Sequence, residues 1–159
     1  MEKKEKTNAM RLLDEAGLAY TAHSYNADDG KIDGLSVAAK IAMPAEQVYK
    51  TLVTQGNSGD YFVFVLPVGA ELDLKKAAKA AKQKHVEMIP VKDILRVTGY
   101  IRGGCSPIGM KKSYPTFVEE EAMLYDTIVF SGGKIGAQIE MNPDALIEWI
   151  GGAYAPLCK

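Results

Sequence analysis

The sequence predicts a mixed α/β fold, and three observations carry that prediction. Helical and β-prone segments alternate along the chain, residues 61–68 form an unbroken apolar run, and helix-start and helix-stop residues punctuate the pattern at regular intervals. The turns at residues 57–60 and 131–134 are short enough to join antiparallel neighbours, so the sheet is expected to be mixed, with helices flanking it.

Each element has its own signature. Ala9, Met10, Leu12, Leu13 and Ala16 recur at helical spacing and Gly17 stands where a helix ends, which predicts a helix over residues 7–16. Residues 20–25 are β-prone. The polar run 26–34 reads as a connection, after which Ser36 opens a short Val/Ala-rich helix. Pro44 suits the first turn of another helical piece, and residues 48–54 read as a strand carrying Lys50 and Thr51. Tyr61-Phe-Val-Phe-Val-Leu-Pro-Val68 is too continuously apolar for a strand with one wet face and is predicted to be the central strand. Asp73 caps a helix through Leu74, Ala77, Ala78 and Ala81, with Lys75, Lys76, Lys79 and Lys82 on its outer side. A short strand is expected at 86–89, a short helix at 91–95 and a buried strand at 127–130 that ends in the turn Ser131-Gly-Gly-Lys134. Asn142 then caps the last helix, Pro143 takes its first position, and Ala145, Leu146, Trp149 and Ile150 form its apolar face.

A chain of 159 residues with 47% apolar and 25% charged residues suits one domain, residues 1–159, with a core that needs no disulfide staples. No repeat or linker divides it. No apolar run approaches the roughly 18 residues of a membrane span. The charged start, Met1-Glu-Lys-Lys-Glu-Lys6, does not read as a secretory signal, so a cytoplasmic protein is expected. Two cysteines, Cys105 and Cys158, form neither a disulfide framework nor a metal pattern, and His23 and His85 lie far apart. Neither a metal nor an organic cofactor is expected. With a net charge of −1, affinity for nucleic acid must come from a local basic patch or a partner protein.

The densest motif is Thr98-Gly-Tyr-Ile-Arg-Gly-Gly-Cys-Ser-Pro-Ile-Gly-Met-Lys-Lys112. Glycines without Cβ atoms let successive main-chain N–H groups approach a ligand and form an anion-binding concavity. The same composition also suits a plain structural turn.

Taken in order, Gln47-Val-Tyr-Lys-Thr-Leu52, Leu72-Asp-Leu-Lys-Lys-Ala-Ala-Lys-Ala80 with Val86-Glu-Met88, the glycine motif 98–112 and Ser131-Gly-Gly-Lys134 resemble the YbaK/EbsC family of free-standing aminoacyl-tRNA deacylases. The likeness spans roughly residues 9–150. It implies the fold shared with the editing domain of prolyl-tRNA synthetase, with a partly barrel-like sheet. It also implies metal-independent cleavage of the ester between a wrongly attached amino acid and the tRNA 3′ end. In this family the substrate is typically cysteine on proline tRNA, and the substrate's own thiol is the attacking group. An aminoacyl ester is already activated, so positioning and oxyanion stabilisation by the backbone N–H groups of Gly103 and Gly104 would carry much of the chemistry.

The resemblance assigns further roles. Lys50 matches the family's functional lysine, and Tyr25 and Thr51 match substrate-pocket positions, although both types are also ordinary strand formers. Ser106 invites a nucleophile reading, but no histidine stands near it in sequence, which favours shaping of the loop or contact with substrate. Cys105 stands where relatives commonly carry an aliphatic residue and is not expected to be catalytic. Gln138 stands where close relatives often carry aspartate, so it enters as a substrate-binding position with an altered anchor for the amino group. Lys75, Lys76, Lys79, Lys111 and Lys112 are candidates for weak tRNA contact, with prolyl-tRNA synthetase a further expected partner. Two readings compete with cysteine editing: release of another small amino acid, such as alanine from proline tRNA, and a non-catalytic module that binds the tRNA 3′ end.

Overall fold

The computed structural model describes residues 6–159; the charged run 1–5, on which the expectation of no secretory signal largely rests, lies outside the described residues. Helix α1 (Asn8–Ala16) is capped by the Thr7 hydroxyl, which accepts from Met10 N, and is stopped by Gly17 in the left-handed conformation. Strand β1 (Thr21–Ser24) follows, and helix α2 (Gly34–Lys40) is capped by Asp33 rather than opened by Ser36. The Asp33 carboxylate accepts from both the backbone N–H and the hydroxyl of Ser36, so the predicted starting residue is one turn inside the helix.

Strands β2 (Tyr49–Gly56) and β3 (Tyr61–Pro67) form an antiparallel hairpin across the turn at 57–60. The apolar run is the middle strand of a five-stranded sheet. Its outer members are β4 (Val86–Met88) beside β2, and β5 (Thr116–Glu119) followed by β8 (Ala153–Ala155), both running parallel to their inner neighbour. Val63, Phe64, Val65 and Leu66 of β3 have no solvent exposure, and burying each contributes about 1.5–3 kcal/mol. Helix α3 (Leu74–Ala80) lays Ala77 and Ala78 over one face of this sheet, against Phe62, Phe64 and Leu66.

The second sheet has three strands in the order β1, β7 (Ala137–Met141), β6 (Ile128–Ser131), all antiparallel. Its Phe130, Ile139 and Met141 join Val63, Val65, Leu13 of α1 and Leu146 of helix α5 (Pro143–Ile150) in the larger core. A parallel bridge between Val48 and Val129 links the two sheets. The arrangement stays open, so the partly barrel-like sheet of the expectation is two sheets meeting at an edge and no closed barrel is formed among the described residues. Helix α4 (Ile94–Thr98), preceded by a 3-10 turn at Val91–Asp93, leads into the glycine motif. Among the described residues no helix is long and apolar enough to cross a membrane.

Strand β8 is fastened through Glu119, whose side chain is almost wholly buried. Its carboxylate accepts from the backbone N–H groups of Leu157, Cys158 and Glu121. Burial alone would raise its pKa, but these donors together hold it below the ordinary value of 4.5. Because the folded-state value is depressed, this stabilisation is complete above pH 4.5 and is lost as the pH falls through the lowered value. Glu119→Ala is expected to lower unfolding stability by about 3 kcal/mol at neutral pH. Urea denaturation should show that the deficit shrinks in acid.

Candidate functional site

Lys50 lies at the start of β2. Side chains on a strand alternate, so Lys50 shares a face with Val48 and Leu52, while Thr51 shares the opposite face with Tyr49 and Val53. The Lys50 ammonium donates to the carbonyl of Ala70 at 2.6 Å and makes a longer contact, 3.5 Å, to that of Val68. Burial depresses its pKa.

The same face collects other candidates. Lys50 and Ser131 each lie two residues beyond the Val48–Val129 bridge, and Ala38 of α2 packs on both bridge residues. Gln138, nearly fully buried, lies between Ser131 and His23 in register at the middle of the three-stranded sheet. The Ser131 hydroxyl accepts from Gly133 N and so shapes the turn toward Lys134.

The glycine motif approaches from the other side. A Cβ on Gly104 would meet the backbone of Lys134 and Ile135 at 3.1–3.3 Å, and one on Gly103 would meet Ile32 Cδ1 at 3.2 Å. Gly103 also needs its positive φ of 87°. The contacts close into a ring. Lys50 touches the 68–70 loop, Val68 and Gly69 touch Gly34 and Leu35, Ile32 touches Gly103, Gly104 touches Lys134 and Ile135, and the 131–135 turn returns to the β2–β6 bridge. Tyr25 joins the ring through its N–H, which donates to Gly136 O at 3.0 Å.

Two of the expected substrate contacts have buried hydroxyls without a partner among the described residues, Tyr25 and Thr51, as does Tyr49. A buried hydroxyl without a partner costs about 1–3 kcal/mol, and of the three only Tyr25 belongs to the ring of contacts, Tyr49 lying in the core. Thr51 leaves the strand on the face away from Lys50. Ser106 is fully buried and accepts from Ile108 N, a contact that shapes the loop. Burial pushes the Cys105 thiol up to about 11, which keeps it neutral.

The basic residues divide. Lys75, Lys76 and Lys79 are exposed on α3, with Lys76 Nζ donating to Cys158 O, whereas Lys111 and Lys112 end the glycine motif, whose Ile108 and Met110 pack on the opposite side of the five-stranded sheet. One RNA strand therefore cannot meet both groups on a single face. Sequence reasoning missed Lys40. Its ammonium donates to Asn26 O, Lys31 O and Asp29 Oδ1 at 2.7–2.9 Å and lies 5.7 Å from the centre of the Tyr25 ring, holding the 25–33 connection over the site. A lone lysine in the last turn of a helix that follows an Asp-rich loop was the available signal.

Comparison with known proteins decides the family. The aminoacyl-tRNA editing domain matches residues 34–149, most of the chain and nearly all of the ring. The chain belongs to the aminoacyl-tRNA editing domain family. This editing domain is 44% identical over 153 residues to EbsC of Enterococcus faecalis, a candidate Cys-tRNA(Pro)/Cys-tRNA(Cys) deacylase, covering 96% of this chain and 93% of that one. Its fold is shared by a candidate trans-editing enzyme for prolyl-tRNA synthetase, with a TM-score of 0.83 at 22% identity over 98% of this chain and 99% of that one. A hypothetical protein, APE2540, gives a TM-score of 0.85 at 20% identity over 94% and 97% of the two chains.

Proposed function

We propose that this editing domain cleaves the aminoacyl ester of mischarged tRNA, with cysteine on proline tRNA as its substrate. The observation that carries the reading is the ring itself, in which one partly desolvated ammonium and a close-packed glycine arch belong to the same circuit of contacts. The family match and the 44% identical relative support it.

The chain's own nucleophilic groups are poorly placed. Ser106 is buried on Ile108 N and Cys105 is held neutral. The attacking group in this reading, as the family resemblance implies, is the substrate's thiol, a few per cent of which is thiolate near neutral pH. It attacks its own carbonyl carbon, the tRNA hydroxyl oxygen leaves with a proton, and water opens the resulting cyclic thioester. The Gly103 N–H of the arch stabilises the oxyanion, because the expected second donor, Gly104 N–H, is taken up by Ile101 O at 3.0 Å, and Lys50 orients the ester or a phosphate.

Incubation with proline tRNA charged with cysteine, alanine or proline tests the proposal. Release of cysteine alone supports it. Alanine release moves the specificity toward that of another small amino acid, and binding without release reduces the protein to a module that holds the tRNA 3′ end. Prolyl-tRNA synthetase is the partner this substrate suggests.

Gln138 sets a further expectation. A buried carboxamide cannot act as a charged anchor for the substrate's ammonium. Gln138→Asp is expected to raise kcat/KM for esters with a free amino group over N-acetylated ones by roughly tenfold. An unchanged ratio would show that this position does not contact the amino group.

A further inference from the structure

A cleft of about 240 Å³ opens beside the glycine motif. Leu12 of α1, Pro107, Gly109 and Met110 of the motif, and Lys112, Tyr114 and Trp149 form most of its wall. Its volume is below the roughly 300–1,000 Å³ of pockets that take drug-sized ligands, which suits a single flat ring system. Among the described residues Lys112 is the charged member of this wall and no carboxylate lines it; Lys111 next to it and Arg11 beside Leu12 are both exposed.

The cleft adjoins the ring of the candidate site through one side chain. Tyr100 donates from its hydroxyl to Ile108 O, and a Cβ added at either Gly109 in the cleft wall or Gly133 in the site turn would meet the Tyr100 ring or hydroxyl at 3.0–3.2 Å. The motif that supplies the arch at 103–104 continues directly into the cleft wall at 107–112.

We propose that this cleft takes an unpaired base of the RNA strand that precedes the terminal adenosine, stacked against Trp149, with its phosphate near Lys112. Stacking on an aromatic face together with a flanking cation is the chemistry by which proteins hold single-stranded nucleic acid. The proposal rests on the deacylase reading for the identity of its RNA. It assigns a role to Trp149 and separates Lys112, which faces the strand, from Lys111, whose ammonium donates to Arg96 O, and from the lysines of α3.

Trp149 is the protein's single tryptophan, so its emission reports on the cleft directly. Titration of the wild-type protein with an uncharged single-stranded oligoribonucleotide ending in CCA is expected to quench that emission saturably. The affinity should weaken on adding salt and fall several-fold in Lys112→Ala. In kinetics, Trp149→Ala should raise KM for charged proline tRNA roughly tenfold, the scale of one lost stacking contact, with kcat unchanged. Hydrolysis of cysteinyl-adenosine, which lacks the preceding nucleotides, should be the same in both proteins. No quenching by the RNA, quenching unaffected by salt and by Lys112→Ala, or a wild-type KM in a folded Trp149→Ala protein would overturn the proposal. If no charged tRNA is cleaved by the wild type, the deacylase reading fails while the fluorescence titration still decides the cleft.

Discussion

Lys50→Ala is expected to slow release of cysteine from charged proline tRNA by about 10²–10³-fold, the scale on which rate falls when one preorganised donor is removed. The expectation comes from the way the ammonium is seated. It has three N–H donors, one used on Ala70 O and a second loosely on Val68 O, which leaves one to face a ligand. The same substitution should cost the fold little, because it also removes a cation whose burial is unfavourable. A thermal midpoint within a few degrees of the wild type should therefore accompany the loss of rate. Single-turnover release is the deciding measurement, and a folded variant with a near wild-type rate would remove Lys50 from the chemistry. Since burial lowers the lysine pKa, the charge is lost at a lower pH than for a free lysine, and activity that needs the ammonium should decline earlier on the alkaline side.

Gly104→Ala is expected to be nearly as severe for a different reason. The added methyl would meet Lys134 Cα and Ile135 N, main-chain atoms that cannot swing aside as the end of a side chain can. The arch must then lift from the 134–135 turn, at a cost of about 1–3 kcal/mol in stability. The turn closed by Gly104 N–H on Ile101 O would be displaced and the neighbouring Gly103 N–H with it, so the rate should fall far more than the stability does. Gly59→Ala is the contrasting control. Gly59 has a positive φ of 88°, which Gly104 does not share, and no atom within 4 Å of the added methyl, so it should lose about 1–2 kcal/mol of stability through backbone strain alone and no activity. Equal losses of activity in the two variants would mean that lost stability, and not arch position, governs the rate.

The long apolar run and the capped helices were legible in the sequence because each rests on local chemistry. Residues 61–68 could be read as a central strand, and β3 is central; Thr7, Asp73 and Asn142 could be read as helix caps or starts, and all three side chains accept from backbone N–H groups. Strands β5, β7 and β8 had no comparable signal. Two are only three or four residues long or close to it, and β5 and β8 exist because β3 offers a parallel edge and Glu119 fastens the end of the chain. At the site, the motifs marked Lys50 and the glycine arch, but the pleat that turns Thr51 away from Lys50 is a property of the strand. Ile32 left no signal and Lys40 only its place in the last turn of a helix, since their importance comes from segments 70 or more residues apart in the one case and from three carbonyl and carboxylate oxygens gathered by a loop in the other.

The final residues form a splint for the Lys50 ammonium. Leu157 O accepts from Asp73 N, Lys159 N donates to Glu71 O, and Leu72 bridges to Cys158, so the segment just after the Lys50 socket is stitched to the tail. A fusion or cleavage close to Lys159 would thus act at a distance on the two carbonyls that seat the ammonium.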